Sequence, residues 1–278
     1  MGAKVWCDED DVQTSVPWDM HSAYIYNQGQ IQEAIRGSLE LADVVTVSTD
    51  SLGETLKKVM KGDPTKLEPL IKCEVVTVPN AFDLETFPKP DRPKKEKIIL
   101  WRGAWVSHVA NLDSVRKDIY EIMDANPDWK FVFFGFVPWW YTELKAEYPK
   151  GVLPTIQFIP PTNTLWDYYA TIADINPSIW VCPLIDNPFN NGRSNNAWAD
   201  ACWTNARVVA PRFAKEWHKP NVTLYDESLT FKGALQQEIN KVNAGEVADP
   251  AGWDFVQHKL PLKLVNEERI KIVKHLIG

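Results

Sequence analysis

The sequence predicts an α/β protein with two lobes, of which the second is a doubly wound parallel sheet. Short apolar runs alternate with helical segments from residue 97 onward, and a stretch rich in proline and lysine, residues 84–97, separates them from a smaller α/β part. Buried parallel strands are continuous apolar runs, and helices cover both faces of their sheet. The chain has 278 residues, enough for two domains. We therefore place the lobes at residues 1–95 and 96–261.

The first lobe is predicted to hold short strands and helices in alternation. Ser51, followed by Glu54, has the spacing of a capping box, which predicts that a helix begins there. The predicted strands are 5–7, 43–47 and 74–78, and a further helix covers 28–41.

The second lobe repeats a strand and helix pattern, and ligands of such sheets bind at the carboxyl ends of the strands. The predicted strands are 97–101, 129–134, 155–159, 178–184, 206–210 and 222–225. The predicted helices are 111–123, 141–147, 165–172, 194–203, 230–242 and 264–276. The segment 262–278, which contains the last helix, is predicted to pack back on the first lobe.

The loop 186–196 carries the strongest indication of a site. Asn191, Gly192, Arg193, Ser194 and Asn195 lie where a predicted helix begins. A helix amino terminus offers unpaired N–H groups and the positive end of a dipole, which suit a phosphate, and Arg193 adds a fixed charge. The alternative is a plain helix cap beside a solvated arginine.

Asp200 lies six residues after Ser194, among small and apolar neighbours. A carboxylate at this position can accept two hydrogen bonds from a ribose diol. The alternative is an acid on an exposed helix edge.

Three further strand ends contribute candidate residues. Arg102 can neutralise a diphosphate, Gly103 can let backbone approach it, and His108 can bind a phosphate or sugar hydroxyl or simply cap a helix. Gly135 and Pro160 lie in loops suited to a planar base, and loop packing explains these two equally well.

The acidic run 8–11 ends the first predicted strand. Asp8, Asp10 and Asp11 lack the regular spacing of a calcium loop, so we predict no metal site and assign them to acceptor hydroxyl binding or helix capping.

Composition limits the partners and the compartment. The net charge of −7 argues against a nucleic acid partner, and no apolar run reaches the roughly 20 residues of a membrane span. The acidic start excludes a signal-peptide core, and the four cysteines form no CxxC pair, so we expect a cytoplasmic protein.

With these motifs the chain resembles GT-B glycosyltransferases of the group 1 type, and most of all a subgroup carried by phages and bacterial polysaccharide loci. The matching segments are residues 4–11, 42–49 with 76–83, and 192–195 with Asp200 and residues 208–210. The resemblance implies two Rossmann-like lobes, the first one incomplete.

The resemblance also implies roles for the candidate residues. Arg193 and Ser194 would contact the donor diphosphate, Asp200 would hold the ribose, and Arg102 and Gly103 would flank the phosphates. It further implies a UDP-, GDP- or ADP-sugar donor, no required cofactor or metal, and retention at the anomeric carbon.

The acceptor would be a hydroxyl compound: a glycan, a lipid, a protein or modified phage DNA, the last disfavoured by charge. The sequence departs from the family pattern at Gly192, where a carboxylate is usual, and at Ala197, where a lysine is usual. These departures leave an inactive or specialised enzyme open, and Gly192 favours a non-catalytic subunit that binds sugar nucleotides. An epimerase or phosphorylase on the same fold is a further alternative. A homodimer or a partner chain would complete the first lobe.

Overall fold

The computed structural model contains two parallel sheets, one of three strands and one of six. It describes residues 3–18, 20, 23–61, 68–91, 95–103, 108–141 and 155–278. The helix predicted at 141–147 lies, apart from Tyr141, outside these residues, as do residues 104–107 of the loop after the strand 97–101. The predicted α/β class and the two-lobed organisation are confirmed.

The first lobe is a small α/β unit with a three-stranded sheet. Its strands are β1 (Trp6–Glu9), β2 (Val44–Val47) and β3 (Glu74–Thr77), parallel in the order β1-β2-β3. Its helices are α1 (Ala23–Tyr26), α2 (Gly29–Leu41) and α3 (Asp50–Leu56). All four residues of β2 are buried because this strand lies between the other two.

The second lobe has the strand order β6-β5-β4-β7-β8-β9, and every pair is parallel. The strands are β4 (Glu96–Arg102), β5 (Lys130–Phe134), β6 (Ile156–Ile159), β7 (Pro177–Val181), β8 (Arg207–Pro211) and β9 (Val222–Tyr225). The chain builds outward from β4 in one direction and from β7 in the other. The carboxyl ends of β4 and β7 therefore form a topological switch point, where such sheets bind ligands.

Helices cover both faces of this sheet. They are α4 (Val109–Asp113), α5 (Arg116–Ala125), α6 (Leu165–Ile175), α7 (Pro188–Asn191), α8 (Asn196–Trp203), α9 (Phe231–Asn243), α10 (Ala251–Lys259) and α11 (Leu262–Ile277). None of the helices in the described ranges is long and apolar enough to cross a membrane.

Three local predictions differ from the structure, and three observed helices have no predicted counterpart. The helix predicted at 111–123 is two helices, because Val115 leaves helical geometry between them. The helix expected to begin at Ser194 begins at Asn196, because Asn187 and Pro188 start the separate short helix α7 first. The cap of α3 is Thr49, whose hydroxyl accepts from the N–H of Leu52, and not Ser51. The helices without a prediction are α1, α7 and α10.

The alternation of side chains along the strands divides the core of the second lobe into two clusters. Ile99, Trp101, Phe131 and Phe133 face α5 and α9, whereas Leu100, Val132, Phe134 and Trp180 face α6 and α8. Several of the tryptophans are thus core residues of this lobe.

The predicted linker, residues 84–97, and the residues just before it partly belong to the core. Phe82 and Phe87 are buried in the second lobe, and the Phe87 carbonyl accepts a hydrogen bond from the Trp203 indole at 3.1 Å. A parallel bridge joins Phe82 to Pro261, immediately before α11. The proposed boundary at residue 95 and the packing of α11 on the first lobe stay predictions.

Candidate functional site

A cavity of about 280 Å³ lies at the switch point, between the two lobes. Asp10 and Asp11, which follow β1, line one side. The other side is lined by second-lobe residues: Arg102, His108, Arg193, Ser194, Asn196 and Ala197. Strand ends that are far apart in the sequence thus meet at one place.

Contacts with the first lobe hold the loop after β7. The Phe189 ring is buried in the first lobe's core. The Thr49 hydroxyl donates to the Gly192 carbonyl at 3.0 Å. A Cβ atom on Gly192 would lie 2.8 Å from a methyl group of Val12, so only glycine fits. Close packing between the lobes therefore accounts for a glycine where the family pattern has a carboxylate.

Arg193 is one of the charged residues that line this cavity. Its guanidinium lies 5.4 Å from the centre of the Phe189 ring, a cation–π contact. Burial lowers the pKa of Arg193, whereas the nearby Asp11 carboxylate raises it, and an arginine in this setting stays protonated. Two charges of opposite sign thus face each other across the cleft.

The amino end of α8 opens on the same cavity. Its N-cap residue, Asn195, makes no capping hydrogen bond, and the Asn195 amide donates instead to the Glu216 carbonyl at 2.6 Å. Ser194, Asn196 and Ala197 line the cavity. A helix end without a side-chain cap leaves N–H groups for a ligand.

Arg102 is the last residue of β4, and it lines both this cavity and a second, adjoining one. Its Nη2 lies 3.1 Å from the Oδ2 atom of Asp200, which is 5% exposed. Burial alone would lower the pKa of Arg102, but Tyr168 and Asp200 outweigh it and the pKa is raised. The guanidinium therefore stays charged.

His108 is held against the Trp101 ring in an edge-to-face contact, with the ring centres 5.7 Å apart. Burial, together with the charges of Arg193 and Arg102, places the pKa of His108 well below its usual range. The imidazole is therefore neutral at pH 7 and can donate one hydrogen bond and accept another.

The residues of the acidic run 8–11 have different surroundings: Asp10 and Asp11 line the cavity, whereas Asp8 bonds to a neighbouring strand. Asp11 is half-buried, and burial raises its pKa while Arg193 opposes that shift. Asp8 lies outside the cavity lining and accepts a hydrogen bond from the Thr46 hydroxyl. In the part of the chain that the structure describes, no group of three or more His, Cys, Asp or Glu side chains could hold a metal ion.

Six predicted residues do not line either cavity of the cleft: Asp8, Gly103, Gly135, Pro160, Asn191 and Gly192. Gly135 has a φ of 98°, and a Cβ atom there would lie 2.8 Å from the Gly103 carbonyl oxygen. These two glycines therefore let the loops after β4 and β5 approach each other. Pro160 is exposed, and the Asn191 amide donates to Asp186 at 2.9 Å.

The second cavity, of about 570 Å³, adjoins the first, and both are lined by Arg102, Ser194, Asn80 and Asn196. The Asn80 amide donates to the Asn196 side-chain oxygen at 3.0 Å across the lobes. Sequence reasoning missed both asparagines. It could have found Asn80, because this residue follows the end of β3 as the other candidates follow their strands.

Tyr168, Tyr169 and Trp217 also line the cleft and were missed. The two tyrosines lie on α6, away from any strand end, and nothing in the sequence marks them. Trp217 ends a short 3₁₀ helix after β8, so a survey of every strand end would have included it.

Neither a protein-family model nor a curated protein sequence matches this chain. Solved structures do match it. The pneumococcal O-GlcNAc transferase GtfA in complex with UDP and GlcNAc is 13% identical, with a TM-score of 0.61 over 99% of this chain and 53% of that one. A point mutant of S. aureus TarM, in complex with Fondaparinux, α-GlcNAc-glycerol and UDP, is 13% identical, with a TM-score of 0.66 over 97% of this chain and 50% of that one.

A Burkholderia vietnamiensis α,α-trehalose-phosphate synthase (UDP-forming) is 12% identical, with a TM-score of 0.61 over 98% of this chain and 65% of that one. The chain thus spans between half and two thirds of the length of these three proteins. At such identities the likeness concerns the fold. The chain has the GT-B fold, with a smaller first lobe, as the motifs predicted.

Proposed function

We propose that this chain is a glycosyltransferase, which moves a sugar from a nucleoside diphosphate sugar to an acceptor hydroxyl. One observation supports it most: Arg193 and Arg102 face a cavity into which the uncapped amino end of α8 also opens. A pyrophosphate has the charge that this arrangement attracts. Two of the structures that share the fold, GtfA and TarM, contain UDP.

In the proposed reaction, the positively charged groups of the cavity act chiefly when the diphosphate leaving group departs. The bond between the anomeric carbon and the β-phosphate oxygen breaks, and its electron pair passes to that oxygen. The acceptor hydroxyl oxygen bonds to the anomeric carbon, and its proton passes to the departing diphosphate. Arg193, Arg102 and the α8 dipole stabilise the diphosphate charge, a role that a divalent metal fills elsewhere. We therefore propose a metal-independent transfer, with retention as the resemblance implies.

The first-lobe wall would bind hydroxyl groups. Asp10 and Asp11 face the guanidinium of Arg193 across the cavity. A carboxylate accepts hydrogen bonds from sugar hydroxyls. It repels the diphosphate, which is also negatively charged, so we expect the diphosphate to bind on the opposite side of the cavity. The acceptor hydroxyl would therefore enter on the side of these two aspartates.

Calorimetric titration with UDP, GDP and ADP tests the donor site, and release of nucleotide from the matching sugar donors tests turnover. Arg193→Ala should weaken diphosphate binding by about 1.5–3 kcal/mol, the scale of a charge-assisted hydrogen bond. The control is Arg269→Ala, since that guanidinium hydrogen-bonds only one turn away, to Asn266, on α11.

Binding of a diphosphate by the parent and the control, with a loss in Arg193→Ala, supports the site. If no nucleotide binds, or if the variant binds as the parent does, the donor site is refuted. Binding without turnover in the presence of glycan acceptors would refute the transferase and leave a binding protein.

A further inference from the structure

A chain of hydrogen bonds behind the first cavity leads from the backbone of Ile185 to the ring of His108. The Ile185 N–H donates to the side-chain oxygen of Asn111 at 2.9 Å. The Asn190 amide donates to that same oxygen at 3.0 Å and to the Ile185 carbonyl at 2.8 Å. Asn111 and Asn190 are each 1% exposed. The protein interior therefore holds both amides in place.

The direction of each hydrogen bond follows from the backbone groups. An amide N–H only donates, so the Asn111 atom that the Ile185 N–H contacts is the oxygen. The other end of the Asn111 side chain is then its NH₂ group, which only donates, and this group lies 3.4 Å from Nδ1 of His108. Nδ1 is therefore the acceptor of this contact, since a proton on it would set two donors against each other.

The proton of the neutral imidazole is consequently on Nε2. His108 lies at the amino end of α4 but makes no capping hydrogen bond, and in the part of the chain that the structure describes its Nε2 atom has no hydrogen-bonding partner. The ring lines the first cavity together with Arg102 and Arg193. Burial and the charges of these two arginines hold the pKa of His108 low, so the ring stays neutral at pH 7.

We infer that Asn111 is a positioning residue, which keeps the His108 proton on Nε2 so that this N–H donates to an oxygen of the bound diphosphate. The inference rests on the proposed function. With its proton on Nδ1 instead, the imidazole would offer a lone pair on Nε2, which cannot bond to a phosphate oxygen. Asn111 does not line the cavity itself, so it acts on the ligand only through His108.

NMR of the histidine ring nitrogens in the full chain tests the tautomer without any ligand. The chain has five histidines, and the ring signals that disappear in His108→Gln assign those of His108. At pH 7 this ring should show a protonated Nε2 and an unprotonated Nδ1. A proton on Nδ1 would overturn the inference and leave the proposed function standing, because the two arginines and the α8 terminus do not depend on it.

Asn111→Asp exchanges the donor beside Nδ1 for an acceptor. A carboxylate still accepts from the Ile185 N–H and from the Asn190 amide, so the rest of the hydrogen-bond chain is kept. The His108 ring should then carry a proton on Nδ1. The matched control is Asn126→Asp, which also replaces a buried amide but lies outside the cavity lining, and it should leave Nδ1 unprotonated. An unprotonated Nδ1 in Asn111→Asp would refute the positioning role.

Calorimetric titration with UDP, or with GDP or ADP if either binds more tightly, tests the contact with the diphosphate. His108→Met removes the N–H and should weaken binding about tenfold or more, as expected for a hydrogen bond to a charged group. His108→Gln offers an amide N–H at a similar reach, and it should bind at least about threefold more tightly than His108→Met.

Equal affinities of the parent and His108→Met would overturn the contact between His108 and the diphosphate. If no diphosphate binds the parent, the proposed function fails and this contact fails with it. The NMR spectra then still decide whether Asn111 sets the tautomer, so the two failures are distinguishable.

Discussion

Phe189 joins the lobes, and its removal tests how firmly the cleft is held. The residue belongs to α7 of the second lobe, yet its ring is 4% exposed within the first lobe's core, beside Val12 and Leu52. Phe189→Ala would therefore leave a cavity between the lobes. It would also remove the ring that lies under the Arg193 guanidinium.

The expected loss follows from area and cavity. Truncation removes roughly 100 Å² of buried apolar surface, worth about 2.5 kcal/mol at about 25 cal/mol per Å². The cavity that remains raises the loss of unfolding free energy to about 3–5 kcal/mol, the usual range for phenylalanine in a core. Donor affinity should fall as well, because Arg193 loses a contact worth about 0.5–1 kcal/mol.

Urea unfolding followed by tryptophan fluorescence measures the loss. The control Phe158→Ala makes the same change on the β6 strand, where the side chain is 39% exposed, and should lose less than about 1 kcal/mol. The reasoning is refuted if Phe189→Ala unfolds at the urea concentration of the parent, or if the control loses as much.

Two further changes test the backbone and the electrostatics. Gly135→Ala places a Cβ atom 2.8 Å from the Gly103 carbonyl oxygen. In urea unfolding, the free energy of unfolding should therefore fall by at least about 1 kcal/mol more than in the control Gly245→Ala, where φ is also positive but no atom lies close. Equal losses in the two variants would argue against the close approach. Hydrogen bonds from Ser228 hold the pKa of Asp226 well below its usual range, so this carboxylate stabilises the fold above pH about 4 and the contribution disappears as the pH falls. Asp226→Asn should therefore flatten the dependence of the melting temperature on pH between about 2 and 4, and an unchanged slope would count against the shifted pKa.

Much of the fold could be predicted because buried parallel strands are continuous apolar runs. The strand 222–225 was predicted at its observed limits, and most others within one to three residues. Helix starts were less predictable because several polar residues compete for each cap. Asn187 followed by Pro188 is a cap with proline at the first position, yet Ser194 was chosen. Phe87 shows a second limit of prediction from sequence. Its proline-rich context predicts a linker, but tertiary packing buries its ring.

The candidate site could be predicted in part because strand ends converge. Arg102 ends one strand, and Asp11 and Arg193 follow two others; the structure brings all three to one cavity. Asp200 was also predicted for the site, but its hydrogen-bonding partners Tyr168 and Tyr169 come from a helix whose orientation the sequence does not specify. The role of an acid depends on such partners, so its chemistry could be judged only in the folded chain.

A crystal structure of the full chain with UDP tests the central claim most directly. The account predicts that the diphosphate lies at the amino end of α8, with its oxygens within hydrogen-bonding distance of the Arg193 guanidinium and the Asn196 N–H. Density for the diphosphate elsewhere, for example beside Tyr225 at the ends of β7 to β9, with Arg193 still directed at Asp11, would contradict it.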